Sequence, residues 1–400
     1  MLKLNGAEMS RRMGIGESTV HRWETGHVRH LNPESLRRIS RVYGLRLHRV
    51  VALEEDYQRT CLSGPDRSLR SLSSAVAELV AGEPAAEQGG PRAAAPLRVT
   101  AETVSGLESL VTGLRRLDDT AGGDAVLPVV SGQLGYVKRL VGRRLSTALG
   151  RRLGRAAADF CQLAGWVAFD AGLHATAREC WSVALRAADG SGDRELAAHV
   201  IACRAWQDWS LGNPKEGLAR AQEALDRLAL GDSSRVRGLV VLRRALCLAE
   251  VGDRHGCERD LAWVEDLLGE AEHDEPPAWL YYLDRPRFDY HAGLCWMALD
   301  DLERAERAVS RAASEHESAF TRVRALAWCA VARLRATGPS ADVDQVVEAA
   351  HHALDLAWQV GSVQVDSAVG RLAELMGRWP DEPAAKEVVA RYHAWLGAPI

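Results

Sequence analysis

Four turn sequences recur along the chain at nearly constant spacing, and this regularity constrains the fold more than any other feature. Asp170-Ala171-Gly172-Leu173, Ser210-Leu211-Gly212-Asn213, Glu250-Val251-Gly252-Asp253 and Ala298-Leu299-Asp300-Asp301 place their third residues 40, 40 and 48 positions apart. Small residues keep step with each turn. Gly165, Ala205, Ala245 and Gly293 lie seven positions before it, Ala177, Gly217, Cys257 and Ala305 five after, and Ala184, Ala224, Val264 and Ala312 twelve after. Small side chains at fixed offsets from a turn let two helices approach closely, with Trp181, Leu261 and Val309 filling the next layer. A helix pair of this size cannot bury its apolar face alone, so a repeat of this period predicts an all-α stack in which each pair rests on the next.

The flanking sequence extends the stack. Residues 101–117 carry Val104, Leu107, Leu110, Val111 and Leu114 in helical register, which predicts an amphipathic helix. Residues 125–149 predict another, broken or bent near Gly142. A fifth unit at 321–358 and a terminal pair at 363–379 and 382–395 continue without the clean turn, as the ends of a solenoid do. As a set, the four turns and their small residues resemble the tetratricopeptide repeat, stretched by longer loops between units. Residues 82–96, GEPAAEQGGPRAAAP, have no apolar periodicity and predict a linker. The chain divides accordingly into a head at 1–81, a linker at 82–96 and a helical repeat body at 97–400.

The head is of another kind. Residues 6–26, GAEMSRRMGIGESTVHRWETG, place Gly14 where a tight turn between two helices needs φ > 0, with Met9, Met13, Ile15 and Val20 on the inner faces. Gly16 stands at the N-cap of the second helix and Glu17 in its first turn. The outward face then carries Ser18, Thr19, His21 and Arg22, residue types that read base edges in the major groove. The first fifty residues hold ten Lys and Arg against four acids, a net of +6 in a chain whose total is −4. A basic head on an acidic remainder is the asymmetry that phosphate neutralisation requires, and Arg11, Arg12, Arg29 and Arg37 are its candidate backbone contacts. Asn32 and Pro33 start a further helix with Leu36, Ile39 and Val42 on one face.

Val20-x-x-Trp23-Glu24-x-Gly26 resembles the second half of the helix-turn-helix of the phage-repressor-like (Cro/C1, XRE) family. That family's first helix is expected to have no residues of its own here, since only Met1 to Asn5 precede the motif. The head, the AELVAGEP segment and the first unit, QLAGWVAFDAGLHATARECWSVALRAA, together resemble actinobacterial XRE-type transcriptional regulators with tetratricopeptide repeats. The resemblance implies sequence-specific binding of double-stranded DNA by the head and a regulatory helical body. A single helix-turn-helix makes few base contacts, so a homodimer is expected. The concave face of the body is expected to take a peptide or protein effector. Its candidate anchors are Trp166, Trp206, Trp209, Arg243, Arg244, Tyr281, Tyr282, Arg285 and His291, aromatic and arginine side chains that carry much binding energy per residue. The rival reading is a repeat scaffold whose degenerate head binds no DNA.

Other chemistry is not signalled. The chain has no G-x-x-x-x-G-K, no G-x-G-x-x-G after a strand, no H-E-x-x-H and no G-x-S-x-G, so no enzymatic activity and no cofactor are expected. The eight cysteines lack metal-ligand spacing and predict buried, reduced side chains. His351 and His352 are successive on a helix and point apart, which argues against a metal there. No apolar run approaches the roughly 18 residues of a membrane span, and the first ten residues lack a signal peptide's apolar core, so a cytoplasmic location without membrane contact is expected. The stretch 276–291, PPAWLYYLDRPRFDYH, concentrates aromatic and charged residues in what reads as a long connection between repeats.

Overall fold

Each of the four aligned turns adopts the backbone that its glycine implies. Gly172, Gly212 and Gly252 have φ of 77°, 78° and 83°, and Asp300, which stands in the glycine's place in the fourth unit, has φ 58°. Asp300 is the one non-glycine residue with positive φ among the described residues. In a computed structural model, residues 99–141, 145–269, 276–337 and 341–397 of the chain are described. The four turns lie in the middle of that span.

Fourteen α-helices and no strand occur among the described residues. They are α1 (Ala101–Ala121), α2 (Gly123–Val141), α3 (Thr147–Asp170), α4 (His174–Ser191), α5 (Arg194–Ser210), α6 (Pro214–Arg227) and α7 (Ser234–Glu250). Then follow α8 (Arg254–Gly269), α9 (Arg285–Ala298), α10 (Leu302–Glu315), α11 (Thr321–Arg335), α12 (Val343–Ala357), α13 (Val363–Leu375) and α14 (Pro383–Gly397). Side chains fix several starts: the carboxylates of Asp193, Asp284 and Asp301 accept from Leu196 N, Arg287 N and Arg304 N at 2.9, 2.8 and 3.2 Å, satisfying amides that have no partner inside the helix. Of the break or bend expected near Gly142 within 125–149 the chain takes the break: α2 ends at Val141 and Ser146 caps α3 by accepting from Leu149 N at 3.4 Å.

From α3 onward the helices pack as successive pairs in a solenoid. The first members, α3, α5, α7, α9 and α11, touch one another along an inner layer, and α4, α6, α8, α10 and α12 lie outside it. Residues Asp289, Tyr290, His291, Ala292 and Gly293 are buried consecutively in α9, so the middle of this inner helix is covered all round. Outer α10 buries only Ala305, Ala308, Val309, Ala312 and Ala313, a single stripe. The small residues in register with the turns are all buried. Their size is needed: a Cβ on Gly293 would stand 2.4 Å from Val309 Cγ1 and 3.2 Å from Val309 N.

Helix α1 departs from the stack. It packs on α2 and α3 as a preceding pair would, yet it also touches α11 and the 3₁₀ turn at Ala278–Leu280, so it crosses the hollow that the inner layer curves around. The eight extra residues of the last repeat spacing belong to the connection between α8 and α9, whose described part, 276–284, turns inward to meet it.

The turns make a clean prediction. A Cβ on Gly212 meets nothing within 4 Å, so Gly212→Ala changes only the backbone, and placing an L-residue in the left-handed region should cost about 1 kcal/mol. Asp300→Gly, which relieves the same conformation, should cost nothing measurable. Paired urea melts of the two variants give the comparison.

Candidate functional site

Spacing along α1 creates the centre of the molecule. Val104, Leu107, Val111 and Leu114 form its buried stripe, and the next position in register is Asp118, buried at 2% exposure beside Arg115 and Asp119. A helix that lays an aspartate where its stripe calls for an apolar residue must find that carboxylate a partner. The partner is Arg322 at the start of α11, whose Nη2 lies 2.8 Å from Asp118 Oδ2. Arg322 also reaches Asp170 at 3.4 Å and Asp119 at 3.7 Å, and its guanidinium lies over the Trp166 ring. Asp170 accepts further bonds from Ser362 Oγ at 2.6 Å and Gln364 Nε2 at 2.9 Å.

Burial opposes the ionisation of both partners, but with different results. It pushes the Asp118 carboxyl up despite the adjacent guanidinium. For Arg322 the surrounding carboxylates, Asp118 and Asp170 foremost, outweigh the same penalty and raise its pKa further. Beside this cluster Arg115 donates to Gln162 Oε1 at 2.7 Å and pairs with Asp159, and the Tyr281 hydroxyl donates to Asp119. Three segments far apart in the chain, α3, α11 and the connection before α9, are thereby tied to α1.

The opposite wall is aromatic and cationic. The inward connection lays Trp279 flat on the His199 ring of α5, with centroids 4.3 Å apart and planes 3° from parallel, and Tyr282 Oη lies 3.1 Å from His199 Nε2. Burial first, then the charges of Arg115 and Arg243, hold His199 well below the usual histidine range, so it is neutral at pH 7. Arg243 of α7 lies 4.2 Å over the Trp206 ring and bonds His291 Nε2. Between the two walls is a cavity of about 40 Å³, bounded by Arg115, Gln162, His199, Arg243, Tyr282, Arg287 and their neighbours. That is space for a few water-sized groups.

The anchors expected along the concave face are thus divided. Trp166, Trp206, Arg243, Tyr281, Tyr282 and His291 converge on this centre, and Trp209 packs against Trp206 at 4.8 Å. Arg244 and Arg285 do not. Arg244 makes a two-point pair with Asp260 at 2.7 and 2.8 Å near Trp263, and the exposed Arg285 reaches Glu265 at 2.7 Å and Asp289 at 3.3 Å. The inner face is also not an open groove, because α1 and the 276–284 connection cover it. His351 and His352 point apart as expected, one bonding Arg391 and the other stacking on Trp328. No cluster of three metal-ligating side chains occurs among the described residues.

Ser18, Thr19, His21, Arg22, Arg11, Arg12, Arg29 and Arg37, together with the linker at 82–96, lie outside the described residues. For the head the decisive finding is a comparison of sequences. A helix-turn-helix family model matches residues 1–49. By that match residues 1–49 carry a helix-turn-helix sequence, and at that level the chain reads as a DNA-binding regulator. No curated protein matches the chain. Among the described residues no helix is long and apolar enough to cross a membrane.

Proposed function

We propose that this chain is a cytoplasmic transcriptional regulator of the XRE type, in which a helix-turn-helix head reads an operator and a tetratricopeptide-like body joins two heads and answers to a peptide or protein effector. The match at residues 1–49 carries the reading, since that is also where the +6 charge is concentrated. Ser18, Thr19, His21 and Arg22 are assigned to base edges, and Arg11, Arg12, Arg29 and Arg37 to phosphates. The body is assigned no catalytic role.

What supports a regulatory body is the position of α1. It follows the 82–96 linker in the chain and lies in the hollow where a solenoid takes its partner. An effector that competes for that hollow acts on the segment nearest the head. A tenfold change in DNA occupancy needs it to favour one state by about 1.4 kcal/mol.

The experiment is anisotropy on the full chain with an operator selected from random duplexes, across a salt series. Arg22→Ala is expected to cost roughly 1–3 kcal/mol and to relax preference at one base pair. Arg11→Ala is expected to weaken all sequences alike and to flatten the salt slope by about one. Equal effects of both changes on selected and random DNA rule out base reading by Arg22. Absence of DNA binding by the full chain leaves the scaffold reading.

A further inference from the structure

Charge is unevenly paired across the central cavity. On the α1 side, every carboxylate is engaged: Asp118 and Asp170 with Arg322, Asp119 with Tyr281, and Asp159 with Arg115. On the other side Arg243 and Arg287 line the same cavity at 7% and 8% exposure, and neither guanidinium forms an ion pair within 4 Å among the described residues, although Asp284, which caps α9, lies within reach of the Arg287 charge. Arg287 stacks on Tyr282 at 5.2 Å and Phe320 at 5.5 Å, and its buried Nε has no hydrogen-bond partner. His199 Nδ1 and Arg115 Nε are likewise buried without one.

The one polar group that Arg243 engages among the described residues does not neutralise it. His291 Nδ1 lies 2.7 Å from the Arg287 carbonyl and must donate to it, which leaves Nε2 as the acceptor facing Arg243 and the ring uncharged. Burial, with Arg287 adding to it, brings the Arg243 guanidinium down to about 10, still protonated at pH 7. Two buried guanidiniums therefore face one small cavity with repulsion between them, and among the described residues no carboxylate is paired with either, since Asp118 and Asp119 on the same cavity are held by Arg322 and Tyr281. The arrangement is costly unless something anionic offsets it. A guanidinium fork matches the paired oxygens of a carboxylate or phosphate.

We infer that the Arg243–Arg287 wall of this cavity is a binding site for a compact oxyanion, the carboxylate or phosphate group of a small ligand. The volume of about 40 Å³ suits such a group and excludes a nucleotide or a folded peptide. Tyr282 and Gln162 stand at the cavity edge as further polar contacts. The site is independent of the regulatory reading above, because neither its ligand nor its test involves DNA.

The test uses the full chain in an organic-cation buffer at pH 7.5, with sodium phosphate, sodium acetate and sodium chloride compared at equal ionic strength by thermal melting and calorimetry. Phosphate or acetate is expected to raise the melting temperature by several degrees and to saturate at millimolar concentration, with no such rise in chloride. The anion that saturates first identifies the source as phosphate or carboxylate. Arg287→Gln should abolish the response while lowering the melting temperature in chloride only a little, since the charge it removes forms no ion pair among the described residues and only its stacking on Tyr282 and Phe320 is lost. Arg243→Lys keeps the charge, loses the fork and should weaken the anion at least tenfold, and Arg244→Gln on the outer face should leave the response intact. The inference is overturned if the parent melts alike in all three salts, or if Arg287→Gln and Arg243→Lys respond as the parent does.

Discussion

Arg322→Met is expected to remove about 3–5 kcal/mol of stability from the body, because it strands carboxylates that are already buried. Arg322 is 3% exposed and is the shared cation of Asp118, Asp119 and Asp170, of which Asp118 and Asp170 are 2% and 0% exposed. Methionine approximates the volume of the aliphatic stem, so the loss reports charge rather than a void. Without the guanidinium the acids repel one another in a dry space and one must take up a proton, for which Asp118 is poised since burial already pushes its carboxyl up. The deficit should accordingly shrink as pH falls from 7 to 5. Asp118→Asn placed on Arg322→Met should return part of the stability, giving a coupling between the two sites in a double-mutant cycle. Urea denaturation of the four proteins at two pH values measures it. A loss below about 1 kcal/mol, or strictly additive changes, means that Arg322 does not hold the centre together.

The solenoid was legible because its determinants are local. A turn that needs positive φ and small residues at fixed offsets from it are properties of one helix pair, and they repeat, so Gly172, Gly212, Gly252 and Asp300 could be aligned without any knowledge of tertiary structure. The polar centre was legible only in part. Aromatic and arginine residues on α3, α5, α7 and α9 mark an inner face, yet Arg115, Asp118 and Asp119 come from α1, where the apolar stripe predicts nothing more than a packed helix. Asp118 in register with Val104, Leu107, Val111 and Leu114 was the available signal. Its partner Arg322 lies 204 residues away, a pairing set by how far the inner layer curves. That curvature is a sum of small rotations between pairs, and no residue type encodes it by itself. Arg244 and Arg285 show the converse: one follows inner-face Arg243 and the other lies two positions before inner-face Arg287, but neighbouring helical positions diverge, and both point to the outside.

Gly122→Ala should unseat α1 from the hollow while leaving the repeats folded. Gly122 ends α1 at φ 87° and ψ 173°, a backbone region that is essentially reserved for glycine and costs other residues on the order of 1–3 kcal/mol. Space is refused as well: a Cβ there would lie 2.3 Å from the carbonyl oxygen of Gly361 and 2.8 Å from its N, and those are backbone atoms that no rotamer change can clear. The contact is tight because the Gly361 amide donates to the Ala121 carbonyl at 2.9 Å, tying the end of α1 to the connection between α12 and α13. Ser362, in the same connection, holds Asp170 in the central cluster, so displacement at Gly361 also loosens the carboxylates around Arg322. The combined cost is expected to be about 3 kcal/mol or more, and to fall on the docking of α1 rather than on the pairs from α4 to α10. Hydrogen exchange resolves the two: amides of α1 should exchange at least tenfold faster in Gly122→Ala, those of α5 to α8 at the parental rate, whereas Gly212→Ala should show no such concentration of the effect on α1. Unchanged exchange in α1 sinks the assignment of Gly122 as its anchor. If α1 is what links the hollow to the head, the same substitution should change the DNA affinity of the full chain without touching any residue between 1 and 49.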